Sequence, residues 1–285
     1  MPCRLPNACL TAGRRNIKLE IEYDGTNYAG WQIQNSRQSP VASRQSRTIQ
    51  ETIEGALQRI LQEKVKLIGS GRTDAGVHAL GQVANFKTNS SLPLANIQKA
   101  LNSLLPEDIS IKKINPVEED FHSRYQAKSK IYRYIILNSD FPSVFLNKYA
   151  WHIPYKLNLK LMQSEARYLL GRHDFKSFCA SASNVKTTVR TIKKISINTI
   201  RYTLYAIRSP LIAIDIEADG FLYNMVRNIT GTLVDIGRGR FSRSSGIPPR
   251  AGKKGSIKKI LLAKDRRLAG STAPAKGLFL SQVNY

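Results

Sequence analysis

Residues 48–87 read TIQETIEGALQRILQEKVKLIGSGRTDAGVHALGQVANFK, and this stretch decides the fold. Thr48 and Glu51 match a capping box, which satisfies free amides at a helix start. Ile49, Ile53, Ala56, Leu57, Ile60 and Leu61 then recur at helical spacing and predict one buried stripe. Residues 65–68 predict a short strand that delivers the chain into a glycine-punctuated turn over 69–79. Residues 82–87 predict a strand leaving it, with Val83, Ala84 and Phe86 apolar. The turn holds one guanidinium, Arg72, and one carboxylate, Asp74. An Asp in such a turn serves as a nucleophile, a base or a turn-former.

Upstream, residues 17–23 alternate apolar and polar and predict a half-buried strand, turned by Asp24 and Gly25. Downstream, residues 94–105 predict a helix bracketed by Pro93 and Pro106, and 109–114 and 121–125 predict strands. The order is β-α-β-β-α-β, ferredoxin-like in type. The second half resembles it in outline. A strand is expected over 131–138, a helix over 159–170 ended by Gly171, strands over 189–197, 201–207 and 211–217, helices over 221–236 and 257–263, and a closing strand over 278–283. The expected fold is therefore α+β, two ferredoxin-like halves with a mixed, mainly antiparallel sheet and a catalytic cleft between them. The expected divisions are a basic tail over 1–15 and domains over 16–126 and 127–285. Residues 35–47 are polar, basic and aperiodic, and read as a loop.

The 285 residues include 44 Lys and Arg against 20 Asp and Glu, a formal net charge of +24. Such an excess is self-repulsive unless a polyanion neutralises it, and nucleic acid does so with release of counterions. Solvated lysine faces are the plainer explanation. From residue 238 to 276 the only acid is Asp265, while Arg238, Arg240, Arg243, Arg250, Lys253, Lys254, Lys258, Lys259, Arg266 and Arg267 accumulate. Lys253, Lys254, Lys258 and Lys259 are accordingly candidate RNA contacts. Cys3, Cys9 and Cys179 offer no disulfide framework and fit a reducing compartment, the cytoplasm. No apolar run reaches the roughly 20 residues of a membrane span, and the N-terminal residues lack a secretory apolar core. His78, His122, His152 and His173 are scattered, without metal-ligand spacing.

Tyr132 and Tyr134 alternate in KIYRYII (130–136), a pattern that suits a base-stacking platform or a packed core. Arg227 stands in FLYNMVRNI (221–229), among mostly apolar neighbours. It either snorkels to solvent or needs an anionic partner such as Asp74.

Together EYDGTNYAGWQ (22–32), GRTDAGVHA (71–79), FHSR (121–124), YRY (132–134), GRHDF (171–175), MVRN (225–228) and TAPAKGL (272–278) resemble the TruA-type tRNA pseudouridine synthases, in the family's order and over nearly the whole chain. The resemblance implies isomerisation of uridine to pseudouridine at positions 38, 39 and 40 of the tRNA anticodon stem-loop, without cofactor or metal, by a homodimer with RNA lying across both subunits. It implies that Asp74 is the catalytic aspartate, that Arg72 helps extrude the nucleotide, that Tyr132 stacks on the base, and that Arg227 pairs with Asp74 and keeps it ionised. His78, within the same motif, joins the candidate RNA contacts. The chain departs from the family in longer loops over 35–47 and 242–255, and in Ser271 where Pro is frequent. A basic RNA-binding protein without catalysis is the alternative, and a carboxylate-nucleophile hydrolase of small substrates is another.

Overall fold

A computed structural model describes residues 13–32, 47–180, 185–200, 211–239 and 256–285. The architecture is α+β, with a mixed and mostly antiparallel sheet and five α-helices among the described residues. The first half runs β1 (Arg15–Tyr23), α1 (Ile49–Leu61), β2 (Ile68–Gly69), β3 (His78–Thr88), α2 (Leu94–Leu104) and β4 (Ile109–Val117). The second runs β5 (Ser129–Asn138), β6 (Trp151–Ile153), α3 (Leu159–Ala166), β7 (Gly171–Asp174), β8 (Val189–Ile200), β9 (Leu211–Ala218), α4 (Met225–Gly237), α5 (Ile257–Ala263) and β10 (Leu278–Asn284).

Period-two alternation forms β1: Ile17, Leu19, Ile21 and Tyr23 point into the core, while Glu20 and Glu22 meet Lys113 and Lys112 of β4 on the other face. Helix α1 starts as its sequence predicts. The Thr48 hydroxyl accepts a hydrogen bond from the Glu51 amide, and Ile49, Ile53, Ala56, Leu57 and Leu61 are buried. Helices α1 and α2 touch each other, α2 rests on β4, and α3 packs on α4 and β8.

The strand order is β4-β1-β3-β10-β5-β9-β8-β7, with β2 added to β3 and β6 to β5. The last strand is thus the seam. β10 pairs in parallel with β3, Phe279 beside His78, and antiparallel with β5, Leu278 opposite Tyr134. One hydrophobic core runs across this seam from Ile17 to Val283.

Five expectations need correction. Residues 121–125 form a turn, because side chains take the place of a neighbouring strand: Asn16 Nδ2 donates to the Phe121 carbonyl and Asn85 Oδ1 accepts from the Ser123 amide. The strand expected over 65–68 shrinks to Ile68–Gly69. The helix expected over 221–236 starts only at Met225, after Asn224 adopts φ 59°, and Phe221 instead packs edge-on against Tyr132. The helix expected over 159–170 tightens into a 3₁₀ turn at Arg167 before Gly171 reverses the chain at φ 90°. Strand β4 continues past its expected end through Pro116, which an edge strand tolerates. The strand expected over 201–207, nearly all of the loop expected over 35–47, and Lys253 and Lys254 lie outside the described residues.

Candidate active site

The turn between β2 and β3 is gripped from several directions. The Ser70 amide donates to the Val83 carbonyl at 2.7 Å, and its hydroxyl bonds Gln82 Oε1 at 2.7 Å. Gln82 Nε2 reaches back to the Gly71 carbonyl at 3.0 Å. Tyr23 and Thr73 share a hydrogen bond between hydroxyls at 2.8 Å, and the Trp31 amide donates to the Thr73 carbonyl at 3.0 Å. Gly30 approaches so closely, at φ 95°, that a Cβ there would stand 2.6 Å from the Thr73 oxygen. The segment after β1 therefore braces the loop that carries Asp74. Sequence reading singled out the loop but missed Tyr23, Thr73 and Gln82 as its supports.

Asp74 is held by its loop with a quarter of its side chain exposed, and Arg227 of α4 lies beside it, Nη1 to Oδ2 3.6 Å. The contact is an ion pair longer than a hydrogen bond. Arg227 is aimed by two shorter bonds, Nε to the Ala273 carbonyl at 2.7 Å and Nη1 to Asn224 Oδ1 at 2.9 Å. Ala273 is fixed in turn. Its amide donates to the Arg227 carbonyl, and Thr272 bonds Asn228 Oδ1, which also receives Arg266 Nη2 at 3.0 Å. The expected partnership of Asp74 with Arg227 is present. Arg227 favours the charged form, as expected, but burial outweighs it and pushes the carboxyl above the usual range. Desolvation of a three-quarters-covered carboxylate outweighs an ion pair of this length.

Tyr132 of β5 is 7% exposed, and its hydroxyl has no hydrogen-bond partner among the described residues. Burial, with Tyr23 and the charge of Asp74 adding to it, pushes its phenol well above the usual range, so it remains protonated at neutral pH. Tyr134, on the same face, is core: it is fully buried and donates to the Pro274 carbonyl at 2.7 Å. Arg72 is exposed and makes no hydrogen bond or ion pair among the described residues. Asp74 and Arg227 are thus paired, Tyr132 feels the charge of Asp74, and Arg72 stands two residues before Asp74 on the loop. An ionisable carboxylate, a cation to balance it and an unpartnered phenol can attack or deprotonate a sugar while a flat base is held against the ring.

His78 does not belong to an RNA-facing surface. It is 1% exposed, stacked on Phe279 at 4.7 Å and close to Tyr149. Its Nε2 faces the carbonyls of Lys148 and Lys276, so it carries the proton, while Nδ1 receives the Gly25 amide and lies 3.0 Å from Asp24. Burial pushes the imidazole below its usual range, against the opposing pull of Asp24. Packing by remote segments turns an expected RNA contact into an internal clamp on the exit of the Asp74 loop. Lys258 and Lys259 stand exposed on α5, which packs on α3. No helix among the described residues is long and apolar enough to cross a membrane.

A family profile described as tRNA pseudouridine synthase matches residues 20–126 and 166–285, and the chain belongs to that family of tRNA-uridine isomerases. Within it, the similar proteins are those named tRNA pseudouridine synthase A. The one from Acetivibrio thermocellus is 47% identical over 95% of this chain and 100% of its own length. That from Caldicellulosiruptor saccharolyticus is 46% identical, and that from Thermoanaerobacter sp. (strain X514) 44% identical, each over 95% of this chain and all of its own.

Proposed function

We propose that the chain converts uridine to pseudouridine on the 3′ side of the tRNA anticodon stem-loop, with Asp74 as the reacting carboxylate. The observation that carries this is the pairing of Asp74 with Arg227 on a braced loop, beside the unpartnered phenol of Tyr132. The C1′–N1 bond breaks, the freed base turns, C5 bonds to C1′, C5 loses its proton and N1 takes one up, so the product is an isomer of the substrate. Asp74 either attacks C1′ or removes a ribose proton on a glycal route, and both need it ionised. The target must first leave its stack, at a cost of a few kcal/mol. Arg72, exposed on the loop, occupies the vacated space, and Tyr132 holds the everted ring.

The net charge of +24 supports RNA as substrate. The exposed side chains of Phe141, Val144 and Phe145 support a homodimer, which sedimentation tests. We read the chain as cytoplasmic, and as a basic tail over 1–15 with halves over 16–126 and 127–285 joined along β3 and β10.

The test is tritium release from tRNA labelled at uridine C5. The wild-type chain releases it; Asp74→Ala binds the RNA and releases none. Release by Asp74→Ala overturns the role of Asp74, and binding without release by the wild type favours the RNA-binding alternative.

A further inference from the structure

Lys130 precedes Tyr132 by two residues on β5, so both side chains leave the strand on one face. Its end lies against the loop of Asp74. A Cβ built on Gly71 would stand 3.3 Å from Lys130 Cε and 3.6 Å from Nζ. The side chain is half-buried, yet it makes no hydrogen bond and no ion pair among the described residues. Burial, and then the positive charge of Arg124, push its amine below the ordinary value. Arg124 is itself exposed and meets no acid among the described residues; its guanidinium rests 5.8 Å over the ring of Tyr125. Arg72, next to Gly71, also has no acidic partner among the described residues.

Several other cations meet acids. Lys112 meets Glu22, Lys113 meets Glu20, Arg133 meets Asp215 and Lys264 meets Asp174. A half-buried ammonium that also feels a second cation is costly unless an anion arrives. The missing side chain at Gly71 is what lets the Lys130 side chain lie against the loop. We propose that Lys130, supported by Arg124 and Arg72, holds the phosphodiester that adjoins the nucleotide presented to Asp74. The ammonium binds it as a point charge. Its place on the strand ties phosphate to base: the phosphate is gripped two residues from the ring of Tyr132 and, through Gly71, three from Asp74. Lys130 is then a positioning residue that fixes which nucleotide along the strand reaches the carboxylate. This rests on the tRNA-uridine reading above.

The experiment uses anticodon stem-loop RNAs with a neutral methylphosphonate at the linkage 5′ or 3′ of the target uridine, each compared with the unmodified RNA. With unmodified RNA, Lys130→Gln raises KM about tenfold, the effect of one charge-assisted contact, and kcat changes less. One of the neutral linkages raises the wild-type KM to the same degree, and Lys130→Gln adds nothing further on that RNA. Lys130→Arg retains most of the affinity, which separates charge from folding; the unfolding midpoint of each variant is measured alongside. An unaltered KM in Lys130→Gln overturns the proposal. So does an equal loss on all three RNAs. Wild-type chain that forms no pseudouridine on unmodified RNA sinks the functional reading itself, a result distinct from either.

Discussion

At the scale of single residues, Asp74 carries two opposed requirements. The proposed reaction needs a negative charge on it, and its burial disfavours one, with Arg227 only partly offsetting the penalty. Activity should therefore fall on acidification at a pH above the ordinary aspartate value of about 3.9. The kcat/KM profile of tritium release checks this. Arg227→Gln removes the opposing charge, so its acid limb should move to still higher pH. The same shift has a sign for stability. The folded carboxyl holds its proton more tightly than the unfolded one, so stability from this group is present below the unfolded pKa and is lost as pH rises through the folded pKa. Asp74→Asn stays uncharged throughout. Its unfolding temperature relative to wild type should climb as pH rises above about 4, the unfolded value, and through the raised folded one. A difference independent of pH would show that Asp74 titrates normally. The pairing was one of two readings that the apolar surroundings of Arg227 left open, and the family resemblance chose it. The direction of the pKa was not legible in the sequence, because the depth of burial is set by segments far apart in the chain. His78 shows the same limit. It looks like a loop residue until Phe279 and Tyr149 cover it.

At the scale of elements, the site depends on how α4 meets the strand-leading segment 271–277. Gly231 of α4 lies so close to this segment that a Cβ would stand 1.7 Å from the Ser271 carbonyl oxygen. Gly231→Ala must push the segment away, and the segment carries Ala273, whose carbonyl aims Arg227. We expect a loss of roughly 1–3 kcal/mol, the usual cost of overpacking, together with a fall in kcat. Denaturant midpoints and single-turnover tritium release measure the two. Wild-type stability and rate in this variant would mean the segment can shift without disturbing Arg227. Thr48→Ala serves as the contrast: it removes one N-cap bond, at about 1 kcal/mol, and should leave kcat intact because α1 touches none of the reacting groups. Elements with local signals were legible. The capped stripe of α1, the alternation of β1 and the run of β10 all appear where their patterns put them. Residues 121–125 failed because their alternation is real but their backbone partners are the side chains of Asn16 and Asn85. The late start of α4 failed because Asn224 takes a left-handed conformation that apolar periodicity does not reveal.

At the scale of the molecule, two properties join the halves to each other and to RNA. The first is charge. Lys258→Gln with Lys259→Gln should weaken tRNA binding and flatten its salt dependence, by up to about 0.9 in log–log slope for each phosphate left unneutralised. An unchanged slope would remove α5 from the RNA footprint. The second is the seam. No local pattern in the sequence shows that the final strand lies between β3 and β5, because parallel pairing of residues some two hundred positions apart leaves no periodic mark. Yet Leu280 of β10 is completely buried there, in the core shared by both halves. The chain has two tryptophans, and they report on opposite sides: Trp31 packs near Tyr23 of the first half, and Trp151 edge-on to Tyr134 of the second. In single-tryptophan variants, Leu280→Ala should cost about 2–5 kcal/mol, as truncation of a buried leucine does. If β10 locks the halves into one cooperative unit, both fluorescence transitions in urea move by the same amount and remain coincident. A shift confined to one tryptophan would mean that the halves unfold independently, and that the geometry around Asp74 is not held by the closing strand.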